Sequence, residues 1–195
     1  SSDGTEMSNA ITFTKGAIKG YLIEPSIENL EYSKIKIKRK INQYGSNVNF
    51  YNQAISGENT IINYYFSSRN PNLSTIITTK DYSEKRQVKS TTLKDFLLQN
   101  NISLTEHLVI KMDVEGAEVE ILESSLAIFQ KMKNVSILME VHPTLYKDNR
   151  MKEILSLMIS NGFKFTLVES AGLQNPSYFK DDNFMPFLTY NSRGL

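Results

Sequence analysis

The 195-residue chain contains no cysteine, no long apolar run and almost no net charge. The absence of cysteine excludes disulfides, thiolate catalysis and zinc sites built on cysteine, and it suits a reducing, cytoplasmic location. No apolar run approaches the ~20 residues that span a bilayer, and no charged-then-apolar leader opens the chain, so we expect neither insertion nor export. The formal net charge is +1, from 22 Lys and Arg against 21 Asp and Glu. We therefore expect neither nucleic acid nor a membrane among the partners.

The hydrophobic pattern predicts a single α/β domain. Apolar runs bounded by turn residues alternate with segments of helical period, which is typical of βα units, a mostly parallel sheet and helices on both of its faces. No internal linker divides the chain, and its length suits one domain with its own core. The predicted strands are 20–24, 47–55, 108–112, 135–141 and 163–169, and the predicted helices are 8–15, 27–44, 117–131 and 151–161.

Two stretches depart from this alternation. In residues 60–91, apolar clusters separated by Asn, Ser and Pro predict short antiparallel strands and loops. A short helix is expected to follow, with Thr91 and Thr92 as its start signal. The tail 179–190 is apolar around Pro186, and we expect it to form a last strand at the edge of a sheet, because proline has no backbone N–H to donate.

A glycine turn near the start of the chain precedes a carboxylate at the end of the first predicted strand. Residues 3–8 read DGTEMS, and Glu24 stands 20 residues after Gly4. Glycine lets the backbone approach a cofactor closely, and a carboxylate at this spacing accepts hydrogen bonds from ribose hydroxyls. An ordinary loop followed by an ordinary glutamate explains the same pattern, so the motif alone does not establish a cofactor site.

A second motif joins a buried strand to an acidic turn. Residues 109–118 read VIKMDVEGAE, which places Asp113 and Glu115 at the carboxyl end of a predicted strand. Ligands of open α/β sheets bind at that end. The dipole of the following helix explains Glu118 and Glu120 without any functional role, but it explains Asp113 less well, because Asp113 precedes the glycine.

A third motif brings two more ionisable side chains to the end of a strand. Residues 135–143 read VSILMEVHP, which places Glu140 and His142 at the same predicted edge as the second motif. Neighbouring strands lie about 4.8 Å apart, so the two groups of side chains are expected to converge. A lone histidine at a strand end is more often a surface or capping residue, and we expect that of His107.

These motifs resemble those of FkbM-type methyltransferases. The family reads K-[ILM]-D-V-E-G-A-E where this chain has Lys111–Glu118, and F-E-P where it has Ile23-Glu24-Pro25. Gln53 and Ala54 resemble the segment that follows the family's third strand. The likeness extends over residues 3–169.

The resemblance implies a Rossmann-like class I methyltransferase fold that uses S-adenosylmethionine and methylates a hydroxyl oxygen of a small molecule or glycan. It implies that Gly4 belongs to the cofactor loop, that Glu24 holds the ribose and that Asp113 closes the methionine end. Ser8 stands where the family has a second glycine. The family's first strand is absent, and we expect it upstream of this chain, between the strands ending at Glu24 and Asp113. The cofactor residues implied are Asp3, Gly4, Ser8, Glu24, Gln53, Ala54 and Asp113.

The resemblance also implies that a group at the carboxyl edge removes the proton of the acceptor. His142 and Glu115 are the candidates for the general base, and Glu140 is a third catalytic candidate. No metal is expected, although Asp113, Glu140 and His142 offer the oxygen and nitrogen ligands of a metal-assisted alternative.

Two other functions share part of this pattern. A nicotinamide-dependent oxidoreductase uses the glycine turn and the acidic residue of the second strand, but the chain lacks a full G-x-G-x-x-G, and Asp113 has no role in it. A binding module that keeps the fold without catalysis is the second alternative, suggested by Ser8. The identity of the acceptor and the oligomeric state do not follow from the sequence.

Overall fold

The computed structural model describes residues 4–67, 70–75, 84–114, 116–141, 149–170 and 184–191, with the backbone alone for 66–75, 84, 166–170 and 184–191 among them. The chain divides into two compact units, which we call the N-terminal unit (Ser1–Ile55 and Asn59–Thr91) and the C-terminal unit (Ser56–Glu58 and Thr92–Leu195). That they form one domain stays a prediction. None of the helices in the described ranges has the length and apolar character needed to span a bilayer.

The N-terminal unit opens with two helices and two parallel strands. The elements are α1 (Thr5–Thr14), β1 (Lys19–Ile23), α2 (Ile27–Tyr44) and β2 (Asn47–Tyr51), and β1 pairs with β2 in parallel. α2 begins where the Ser26 hydroxyl accepts a hydrogen bond from the Asn29 N–H, and it ends at Gly45 in the left-handed conformation. Its apolar stripe packs into a small core formed by Leu22, Leu30 and Ile37, with Met7, Ile41, Val48 and Phe50 around it.

The second part of the N-terminal unit is a sheet with antiparallel pairs. It consists of β3 (Ala54–Ser56), β4 (Thr60–Ser67), β5 (Asn70–Thr75) and β6 (Glu84–Thr92), in the order β3-β6-β4-β5. β4 is antiparallel to both β5 and β6, which confirms the antiparallel strands predicted within 60–91. The predicted strand 47–55 is wrong in one respect, because it is broken at Asn52 and Gln53 into β2 and β3. The Asn52 amide donates to the carbonyl oxygens of Glu24 (3.1 Å) and Pro25 (2.8 Å), which stabilises a turn at this point.

In its described residues, the C-terminal unit combines three helices with a four-stranded sheet. Its elements are α3 (Leu93–Gln99), β7 (His107–Met112), α4 (Glu118–Phe129), β8 (Asn134–Met139), α5 (Arg150–Ser160), β9 (Lys164–Ser170) and β10 (Phe184–Asn191). α3 begins as predicted, since the Thr92 hydroxyl accepts a hydrogen bond from the Asp95 N–H at 3.1 Å. The sheet order is β7-β8-β10-β9.

The expected mostly parallel sheet is not what the described strands form. β7 and β8 are parallel, but β10 is antiparallel to both β8 and β9. The predicted edge position of β10 is also wrong, because β10 lies between these two strands. Pro186 is tolerated there because the pairing with β8 begins at Phe187, one residue later. The fold class is α/β with mixed sheets.

The core of the C-terminal unit lies on β8 and α4. Val135, Ile137 and Met139 of β8 are fully buried, which explains why this strand reads as an apolar run. Phe129 at the end of α4 packs edge-on against Phe163, with ring centroids 5.9 Å apart. The buried strand β8 pairs in parallel with β7, and the carboxyl ends of these two strands carry the side chains considered next.

Candidate functional site

The glycine turn of the first motif is the start of α1. Gly4 is left-handed, with φ of 72°, and its carbonyl accepts the Ser8 N–H at 2.9 Å. Ser8 therefore lies inside the helix, which begins three residues earlier than predicted, and its side chain is buried. A Cβ on Gly4 would lie 3.1 Å from Ser33 Cβ of α2, so glycine permits the close approach of the two helices.

Glu24 is held in a turn directly after β1. Its N–H donates to the Tyr51 carbonyl at 3.1 Å, and its Oε1 accepts the Ser26 N–H at 2.9 Å. Only 6% of Glu24 is exposed. The sequence placed this carboxylate correctly at the end of the first predicted strand, and the structure adds that α2 begins on the same turn.

A charged cluster beside this turn was not predicted. Arg86 of β6 binds Glu28 of α2 with Nη1 and Oε1 2.5 Å apart, and it also forms a hydrogen bond with Tyr64 of β4. The hydrogen bond from Arg86 lowers the pKa of Glu28, whereas burial raises the pKa of Tyr64. The charge of Glu24 also acts on Tyr64. Tyr64 and Arg86 are paired across β4 and β6, which are distant in the chain. No local sequence pattern could therefore have predicted this contact.

The residues expected near the adenine lie where β3 begins. Gln53 forms the bend before the strand and is partly exposed. Ala54 is buried in a cluster with Tyr64 and Val88, against which Ile62 packs. The Ala54 side chain is thus a core contact of the small sheet, and its backbone follows the turn that Asn52 ties to Glu24.

The second and third motifs place Asp113 and Glu140 at one edge of the C-terminal sheet. The Glu140 N–H donates to the Met112 carbonyl at 3.0 Å, which continues the parallel pairing past β8. Lys111 Nζ lies 3.5 Å from Asp113 Oδ2 and 3.9 Å from Glu140 Oε2. The edge therefore carries two carboxylates with a cation between them. Lys111 was missed as a site residue, although alternation along a strand puts it on the same side as Asp113.

The turn between β7 and α4 is fixed by a buried carboxylate. Gly116 has φ of 105°, and its N–H donates to Glu118 at 3.0 Å from Oε2 and 3.3 Å from Oε1. Glu118 is fully buried in the first turn of α4. This arrangement supports the structural explanation of Glu118, because the carboxylate satisfies a backbone donor at a helix N-terminus.

Three of the predicted site residues are not described by the structure, and His107 lies away from the carboxyl edge. Asp3, Glu115 and His142 lie outside the described residues, so their predicted roles stay predictions. His107 lies at the opposite end of β7 from Asp113, where its Nε2 is 2.8 Å from Ser136 Oγ. Within the described ranges, no three His, Cys, Asp or Glu side chains are grouped to hold a metal ion, and the metal-assisted alternative, which needs His142, stays untested.

Comparison with known proteins identifies the family. No curated protein matches the chain, and no solved structure does. The model of the methyltransferase FkbM domain matches residues 2–165, which include the turns at Gly4 and Glu24 and the carboxyl edge at Asp113 and Glu140. This match covers well over half of the sequence, and the chain therefore belongs to the FkbM methyltransferase family.

Proposed function

We propose that the protein is an S-adenosylmethionine-dependent methyltransferase with a Rossmann-like class I fold, located in the cytoplasm, which methylates a hydroxyl oxygen of a small molecule or glycan. The observation that carries the proposal is the family match together with the buried Glu24 carboxylate, held after β1 by the Ser26 N–H. A strand-end carboxylate is the group that binds ribose hydroxyls in nucleoside-binding α/β folds.

The residues of the N-terminal unit fit the nucleoside part of this cofactor. Gly4 carries no side chain at the turn, and the Ser33 hydroxyl next to it is fully buried with no hydrogen-bond partner among the described residues. Glu24 offers carboxylate oxygens as acceptors for two neighbouring hydroxyls. We propose that Gly4, Glu24, Gln53 and Ala54 hold the adenosine portion, with Asp3 and Ser8 contributing to the glycine turn.

The residues of the C-terminal unit are proposed to act on the reacting groups. When bound, the cofactor supplies an electrophilic methyl group on its sulfonium sulfur. Asp113 would hold the methionine portion, because a carboxylate attracts its ammonium group. His142, Glu115 and Glu140 are the candidates for removing the acceptor's proton at this edge. Alignment of the two reactants would supply much of the remaining rate enhancement.

The ribose contact is tested by calorimetric titration with S-adenosylmethionine. Glu24→Ala should weaken binding by roughly 1.5–3 kcal/mol, the range for hydrogen bonds to charged groups. Glu24→Gln, which retains one acceptor oxygen, should lose less binding free energy. Glu31→Gln, an exposed carboxylate of α2 that pairs with Lys34, is the control and should bind like the wild type. Unchanged affinity in a folded Glu24→Ala variant would remove Glu24 from the site.

A further inference from the structure

Lys111 occupies an unusual position for a lysine. Its side chain is only 20% exposed, although its length would let the ammonium reach solvent. Instead, the ammonium lies between Asp113, which follows β7, and Glu140, which follows β8. The Lys111 ammonium therefore lies at the carboxyl edge of the sheet, close to both carboxylates, and does not extend into solvent.

Neither ion pair in this cluster is as short as a direct hydrogen bond. Direct charge-assisted hydrogen bonds measure about 2.7–2.9 Å. The ammonium is 3.5 Å from the nearest Asp113 oxygen and 3.9 Å from the nearest Glu140 oxygen, so both ion pairs are longer than that. A hydroxyl group matches the arrangement, because its oxygen accepts from an ammonium while its hydrogen is donated to a carboxylate.

On the basis of the function proposed above, we propose that Lys111 is a catalytic residue that donates a hydrogen bond to the oxygen of the acceptor's hydroxyl group. Glu140 accepts the proton that this oxygen loses: the O–H bond breaks, its electron pair stays on the oxygen, and a new O–H bond forms on the carboxylate. The ammonium stabilises the negative charge that develops on the oxygen, as a preorganised cation does in a partly buried site. The substrate class that fits is a neutral alcohol.

The position of the Lys111 charge is testable without knowing the acceptor. S-adenosylmethionine and S-adenosylhomocysteine differ by one methyl group and its positive charge, so the ratio of their dissociation constants reports charges near the sulfur. Lys111→Met removes a cation beside the reacting atoms, and it should tighten the first ligand relative to the second on the order of tenfold. Glu140→Gln should shift the ratio in the opposite direction. Lys131→Met, at an exposed position after α4, is the control and should leave the ratio unchanged.

Lys111→Arg separates charge from packing, and it should keep the wild-type ratio. An arginine variant that behaves like Lys111→Met would assign the effect to packing and overturn the proposal. A wild type that binds both ligands, with ratios unchanged within twofold in Lys111→Met and Glu140→Gln, would overturn the role of Lys111 but leave the proposed function intact. Failure of the folded wild type to bind either ligand would instead overturn the proposed function, and this inference with it.

Discussion

Single residues decide the conformation of the turns at the site. Gly4 and Gly116 have positive φ angles of 72° and 105°, in which other residues are strained. Glu24 and Glu118 are buried carboxylates that each accept a backbone N–H within two residues of their own position. These two carboxylates, which the sequence presents within motifs, are thus parts of two turns in which a side-chain carboxylate accepts a backbone N–H.

Gly4 should tolerate substitution less well than Gly45, which provides a matched control. Both residues are left-handed, but a Cβ on Gly45 meets nothing within 4 Å, whereas a Cβ on Gly4 would lie 3.1 Å from Ser33 Cβ. Gly45→Ala should lower the free energy of unfolding by about 1–2 kcal/mol through backbone strain. Gly4→Ala should cost at least about 1 kcal/mol more, because the contact with α2 is overpacked. Denaturant unfolding measures both, and equal losses would show that α1 and α2 relax without cost.

The sequence identified some site residues and missed others for a physical reason. Glu24, Asp113 and Glu140 end apolar runs, so a local pattern locates them. Arg86 is brought to Glu28 by the pairing of β6 with β4, which depends on contacts far apart in the chain. Lys111 was considered only as part of the family motif. Because it stands two residues before Asp113 in an extended segment, the two side chains are on the same face, and this spacing would have identified Lys111 as a site residue.

The start of α4 depends on one buried side chain. Glu118 is fully buried and accepts the N–H of Gly116, which is also buried. This contact joins the helix to the turn that carries Asp113 at the end of β7. The position of the carboxyl edge is therefore coupled to the first turn of α4.

Glu118→Ala should leave the Gly116 N–H without its acceptor and lower the free energy of unfolding by about 1–3 kcal/mol. Glu118→Gln keeps an acceptor oxygen, so its free energy of unfolding should fall by less. The matched control is Glu153→Ala, because Glu153 lies in the first turn of α5 but is exposed. Thermal and denaturant unfolding provide the measurement. A Glu118→Ala variant as stable as Glu153→Ala would show that the hydrogen bond to Gly116 contributes little.

Most elements with a regular period were predicted to within three residues, and the expected neighbours β7 and β8 do pair, but the partners of β10 were not predicted. α2 was predicted as 27–44 and is Ile27–Tyr44. β10 was predicted as a strand, but not its position between β8 and β9. That position depends on pairing with strands distant in the chain, which the local sequence of β10 does not specify. The proline signal for an edge failed because only the residues from Phe187 onward pair with β8.

At the level of the whole molecule, the alternation of strands and helices was sufficient to predict an α/β protein. The motifs in their order were sufficient to predict the FkbM methyltransferase family, and the match over residues 2–165 confirms it. The antiparallel strands within 60–91 were predicted, but the antiparallel pairing of β10 with β8 and β9 was not, since it joins segments that have no common local pattern.

The most direct test of the central claim is methyl transfer itself. Full-length protein is incubated with methyl-labelled S-adenosylmethionine and fractionated host extract, and the label is followed into each fraction. The account predicts that label enters an alcohol-containing compound, that Glu24→Ala reduces its uptake at limiting cofactor, and that Glu31→Gln does not. Absence of both label transfer and cofactor binding in the folded protein would contradict the account and favour a binding module that keeps the fold without catalysis.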